Sequence, residues 1–181
     1  MNGKFFLPIG LILAAYYFTR RNMQADINTA LQDKNVKAFL ETIAKRESNG
    51  DYFILFGGSH FSDTSSHPDI RIPFHNPERS GEGNNDFSTA AGKYQINFPT
   101  WLSIQALAFL PDFSPASQDE AAVWLLKIDG ALQPLIEGDF NIALQIASKR
   151  WASLPYSTAQ QHPTKYQDVL NTFIYNGGQV A

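Results

Sequence analysis

The sequence has no cysteine, which excludes disulfide staples, thiolate metal sites and a cysteine nucleophile. Charge is sparse, at 17% of residues, and sums to −3, so no basic stripe is available for nucleic acid and none is expected as a partner. Gly-x-Ser-x-Gly is absent, and no glycine-rich phosphate loop precedes a helix. There is no internal repeat, and no uncharged run reaches the roughly 20 residues that a straight membrane-spanning helix needs. What is present is a chain of 181 residues, 44% of them apolar, enough for one domain with its own core and no cross-links.

The most apolar stretch stands first. Residues Phe5 to Phe18 are uncharged, between Lys4 on one side and Arg20-Arg21 on the other. That is the length of a signal-peptide core, but no clear small-x-small cleavage site follows, and Pro8 and Gly10 weaken it as a helix. Residues 1–21 are read as a hydrophobic export or membrane-anchoring segment, with membrane contact through residues 4–21. The alternative is an interfacial or buried helix of the fold. The flanking positive charges are too evenly split to set an orientation. Residues 22–34 read as a polar connector, helical or not, into a domain over residues 35–181.

That domain begins with "KAFLETIAKRES". Val36, Phe39, Leu40 and Ile43 recur at the spacing of a buried helical stripe. At about 100° per residue, Glu47 returns to within roughly 20° of the same face. Asp33 or Asn35 offers a start cap, and Asn49 with Gly50 a stop. A carboxylate therefore stands at the end of a greasy stripe. Either it leans into solvent, or it is a half-desolvated acid on a cleft wall with a raised pKa suited to proton transfer.

Beyond it the pattern changes. "DYFILFGGSHFSD" predicts a strand-turn-strand unit about Gly57-Gly58, and the Pro-, Gly- and Asn-rich residues after it predict a long loop with short strands near Ile70 to Phe74. Helical patterns then follow. One carries Trp101, Leu102, Ile104, Leu107 and Ala108 and stops at Pro111; the next runs from a Ser114 cap to Gly130. A third starts at Asp139, with Ile142, Ile146 and Trp151 along one side, and a last one ends at Gly177-Gly178. The expected class is α+β, a mainly helical domain with a small β-hairpin and lip region.

Six words, "KAFLETIAKRES", "GGSHFSDTSSHP", "STAAGKYQ", "DFSPASQD", "GALQPLIEGD" and "WASLP", occur in an order and spacing that cover residues 37–178. Through them the chain resembles the lambda-type lytic transglycosylases of bacteriophages, a lysozyme-like family. The resemblance implies a lysozyme-like fold and one catalytic glutamate, Glu47. It implies a substrate of peptidoglycan glycan strands, no cofactor and no metal, a monomer, and a periplasmic or envelope-facing location. The chain also departs from the family. The family's Trp-Ser-Glu-Gly context is Lys45-Arg46-Glu47-Ser48 here, and the loop from Pro68 to Ser88 is longer.

Cleaving the β-1,4 bond after N-acetylmuramic acid requires a proton for the leaving oxygen. In a transglycosylase the sugar's own 6-hydroxyl then attacks the anomeric carbon, and the ionised glutamate takes its proton, leaving a 1,6-anhydromuramoyl end. A hydrolytic muramidase needs a second carboxylate. Asp63 is the candidate by position, with Glu82 and Asp86 behind it; a turn-forming role for Asp63 is the alternative. A third possibility is a glycan-binding virion component that does not cut. By resemblance Tyr94, Gln95 and Ser88 line the substrate cleft, where a phenol, an amide and a hydroxyl suit sugar groups. Helix capping competes as the role of Ser88 and Thr89. Trp101, Trp124 and Trp151 are expected in the core. The spacing of His60, His67 and His75 matches no compact zinc motif, and His67 is expected to order its loop.

Overall fold

The computed structural model describes residues 21–74, 86–157 and 164–181. Residues 21–30 are helical (α1). They are followed by α2 (Lys34–Glu47), β1 (Ile72–Phe74), β2 (Asp86–Ser88), α3 (Phe98–Ala108), α4 (Pro115–Asp129), α5 (Leu132–Glu137), α6 (Phe140–Ala147) and α7 (Tyr166–Tyr175). β1 and β2 pair antiparallel, with Pro73 opposite Phe87. The arrangement is the mainly helical α+β architecture that the pattern predicts.

α2 starts where Asp33 accepts from the amides of Asn35 and Val36, at 2.8 and 3.0 Å, satisfying two donors that the first turn leaves free. Val36, Phe39, Leu40 and Ile43 are all buried. The helix stops because Asn49 and Gly50 turn left-handed, at φ 56° and 89°. α4 begins at the Ser114 cap with Pro115 in its first turn and closes on Gly130. Residues 121–126 of α4 are buried without interruption, which makes it the central helix. Phe39, Phe140 and Phe173 tie α2, α6 and α7 together, with ring centroids 4.5 to 6.3 Å apart. A second aromatic knot joins Trp101 edge-on to Phe113 at 4.6 Å, with His67 against the same phenylalanine.

The structure differs from the sequence expectations in five places. Residues 51–63 form isolated bridges about the Gly57-Gly58 turn, Ile54 pairing with His60, in place of two strands. α1 falls inside the expected connector, and its Ile27 and Ala30 are core residues. α5 is a six-residue helix bounded by Ala131 and Gly138, too short to show a period. α6 stops at Ala147 and buries Phe140, Ala143, Leu144 and Ala147, while Ile142 is half exposed. Its inner face is thus one position off the expected one. α3 ends at Phe109 in the left-handed conformation, before Pro111. The apolar run at residues 4–20 and the loop at 75–85, including His75 and Glu82, lie outside the described residues. Among the described residues no helix is long and apolar enough to cross a membrane.

Candidate active site

Glu47 is the last residue of α2, half-buried and lining a cleft of about 990 Å³. Burial pushes its carboxyl above the ordinary carboxylate range; hydrogen bonds from the Ser153 side chain and backbone pull part of the way back. The Ser153 hydroxyl donates to Glu47 Oε1 at 2.5 Å. Ser48, the cap residue next to it, is buried and donates from Oγ to the Lys93 carbonyl at 2.7 Å. That bond fastens the end of α2 to the "GKYQ" turn.

The turn is built on unusual backbone. Gly92 has φ 75°, and a Cβ there would fall 2.2 Å from Gln118 Oε1, the atom that accepts from the Lys93 amide at 2.9 Å. Gln118 spans the interior, its Nε2 donating to the Tyr52 and Phe113 carbonyls. Gln95 is also left-handed, at φ 47°, and its Nε2 donates to the Gly92 carbonyl at 3.0 Å. Among the described residues no donor reaches its Oε1, which can accept from a ligand.

Behind the turn lies a polar network that the sequence does not announce. Lys93 is buried, with Nζ 2.6 Å from Glu41 Oε1, 3.0 Å from the Tyr52 hydroxyl and 3.7 Å from Asp119. Desolvation lowers the lysine's pKa, but Glu41, Tyr52 and Asp119 more than offset it and the net shift is upward. The Tyr94 hydroxyl is buried against Asp119 at 2.6 Å, and burial followed by that negative charge drives its pKa far up. Tyr94 lines the cleft, but its phenolic proton belongs to this network and not to a sugar.

Ser88 lines the cleft from the end of β2; its Oγ accepts from the Ala90 amide and reaches Asn97 Oδ1 at 3.4 Å. Thr89 accepts from the Phe98 amide at 3.0 Å and caps α3. Asp63 is exposed, accepts from the Ser65 amide at 2.8 Å, and lies away from the cleft lining, which is the turn-forming role. Asp86 lies in β2, and neither acid meets Glu47 in this cleft. Trp101, Trp124 and Trp151 are all buried; Trp151 also forms part of the cleft floor and donates to the Tyr94 carbonyl at 3.1 Å. Burial lowers the His67 pKa, and its Nε2 meets the Ile96 carbonyl at 2.9 Å while Nδ1 accepts from the Asp69 amide, so this ring orders its loop.

Some residues around Glu47 are not singled out by the sequence, although Arg46 adjoins it and Ser153 lies within "WASLP". Arg46, Asp129, Lys149 and Arg150 share the lining with Glu47. Arg150 grips Asp129 with two nitrogens, Nη2 lying 2.6 Å from Oδ1. Ser153 and this pair come from chain segments far from Glu47, where no local spacing connects them. The rest of the described lining, including Ile54 to Gly58, Tyr94 to Asn97, Ser88 and Ala90, carries no charged side chain. One half-dry acid thus shares a large cleft with hydroxyl, amide and backbone groups, an arrangement suited to proton transfer on an extended polar polymer.

A family model described as Endolysin matches residues 37–180. The endolysin of Escherichia phage lambda is 34% identical over 153 residues, covering 80% of this chain and 92% of the relative. That of Escherichia phage P2 is 29% identical over 161 residues, covering 82% and 96%. The structure of bacteriophage lambda lysozyme complexed with a chitohexasaccharide matches with a TM-score of 0.73 at 32% identity, over 83% of this chain and 97% of that one. A second lambda lysozyme structure matches with a TM-score of 0.70 at 31% identity, over 83% and 97%.

Proposed function

The chain belongs to the endolysin family and has the lambda lysozyme fold, and from that premise we propose that it degrades peptidoglycan as a lytic transglycosylase. Glu47, protonated, gives its proton to the oxygen of the β-1,4 bond leaving N-acetylmuramic acid. The muramoyl 6-hydroxyl attacks the anomeric carbon, and ionised Glu47 takes the hydroxyl proton. A 1,6-anhydromuramoyl end forms, with no water consumed. Gln95 Oε1 and Ser88 serve as sugar contacts in the cleft, and Tyr94 supports its lining from behind.

The observation that carries this reading is the state of the cleft's carboxylates. Among the described lining residues the acids are Glu47 and Asp129, and Asp129 is clamped by Arg150. Both Asp129 oxygens are engaged by the Arg150 guanidinium rather than turned to a substrate, which supports one-acid chemistry over a hydrolase's two carboxylates. Mass spectrometry of digested murein tests it. Anhydromuramoyl ends are expected; reducing muramic ends in their place would overturn the transglycosylase assignment in favour of a muramidase. Membrane contact through residues 4–21 and envelope localisation belong to the same proposal and rest on that apolar run. Fractionating cells that express the chain with and without residues 1–20 tests both.

A further inference from the structure

Among the described residues the charged groups of the cleft lining come from the end of α2, the end of α4 and the segment after α6; the Ser153 to Glu47 hydrogen bond joins the first to the last, and the Arg150–Asp129 pair joins the second to the last. Three of them are cations. Arg150 is neutralised by Asp129, at 2.6 Å. Arg46 and Lys149 have no carboxylate within ion-pair distance among the described residues. The Arg46 guanidinium is tethered to the Asp168 carbonyl and the Thr172 hydroxyl, both at 3.1 Å, which hold its charge in the wall without cancelling it. Lys149 is exposed at the cleft edge and extends from the same segment as Ser153.

Two cations with no ion-pair partner among the described residues, in a chain whose net charge is −3, give this part of the cleft a positive field that favours an anionic group over a neutral one. A chitin-type glycan carries no charge. Murein differs chemically in the lactyl and peptide substituents on alternate sugars, and these carry carboxylates. We infer that Lys149, backed by the fixed charge of Arg46, forms a carboxylate subsite that takes the anionic substituent of a muramoyl residue and favours murein over neutral β-1,4 glycans. This rests on the peptidoglycan reading above and adds to it the group that tells one glycan from another. Arg46 supplies a preorganised field, and Lys149 a flexible point charge able to follow substituents of differing length.

Binding, measured apart from turnover, tests the subsite. Glu47→Gln protein and its Glu47→Gln/Lys149→Gln derivative are titrated onto insoluble murein, and onto the same murein with its carboxyls converted to amides by carbodiimide and ammonia. On untreated murein Lys149→Gln is expected to weaken binding about two- to fivefold, and Lys149→Glu about tenfold, both effects shrinking as salt rises. On the amidated polymer the variants should bind alike. Equal binding of the Lys149 variants to untreated murein would overturn the inference. So would a loss that persists on amidated murein, since that would make Lys149 structural. In the Glu47-containing protein the same change should raise KM and leave kcat within about twofold. Failure of the transglycosylase reading would instead show in the product ends, with the charge-dependent binding intact.

Discussion

The Ser153 hydroxyl reaches Glu47 Oε1 at 2.5 Å from 106 residues further along the chain. Burial raises the carboxyl's pKa and this bond tempers the rise, so the two act against each other on the group that must first give and then take a proton. Ser153→Ala removes the tempering donor. The carboxyl's pKa then moves further up, and the alkaline limb of kcat/KM against pH moves to higher pH, because protonated Glu47 persists longer. Loss of orientation should lower the maximum by up to about tenfold. A pH profile shows both; an unshifted alkaline limb would mean that Ser153 does not set the acid's proton affinity.

The same burial has a cost in stability. A carboxyl whose folded-state pKa lies above its ordinary value, 4.5, binds its proton more tightly when folded. Its stabilising contribution is therefore complete below 4.5 and is lost as pH rises through the raised value. Glu47→Gln keeps an acceptor for Ser153 but cannot ionise. Its Tm should exceed the parent's above the raised pKa, and the two should converge below pH 4.5. Activity on murein should fall by about 10²- to 10⁴-fold over the same range. Thermal melts at acid and neutral pH, beside turnover, separate the functional strain from the fold.

Asp129 offers a sharper test of the number of working acids. Its clamp by Arg150 implies a structural part, so Asp129→Asn should retain activity within about tenfold while loosening the segment that bears Ser153. Asp63→Asn should do less, because Asp63 is exposed and serves the Ser65 amide. A loss from either comparable to that of Glu47→Gln would establish a second catalytic carboxylate, and with it a hydrolase.

How much of this was legible in the sequence follows from the range of each interaction. The Glu47 stripe is a local period, and so are the caps at Asp33 and Ser114, the Gly130 stop and the turn at Gly57-Gly58. Each was readable. The resemblance brought Tyr94 and Gln95 to the same cleft but could not show that the Tyr94 hydroxyl is committed to Asp119, which depends on a helix 25 residues away. Lys93 carries no local signal of burial and is buried, since its partners come from three separate segments. Ser153 meets Glu47, and Asp129 and Arg150 join the same cleft, only after folding. α5 contains a proline and spans too few residues to declare a face.

Gly92 joins this hidden network to the cleft. At φ 75° an L-residue is already strained, and an added Cβ would meet Gln118 Oε1 at 2.2 Å, inside any tolerable contact. Gln118 cannot retreat freely, because its amide also holds the Lys93, Tyr52 and Phe113 backbones. Gly92→Ala must therefore displace either Gln118 or the turn carrying Tyr94 and Gln95. A loss of about 2–4 kcal/mol in stability is expected, combining left-handed strain with a broken buried amide. The cleft wall moves with the turn, so KM for murein should rise even at temperatures where the variant is folded. Gln118→Ala on the same background removes the clash but not the strain. If it restores KM without restoring Tm to the parent's value, the clash is what moves the wall; if neither recovers, the left-handed backbone alone is what the turn requires.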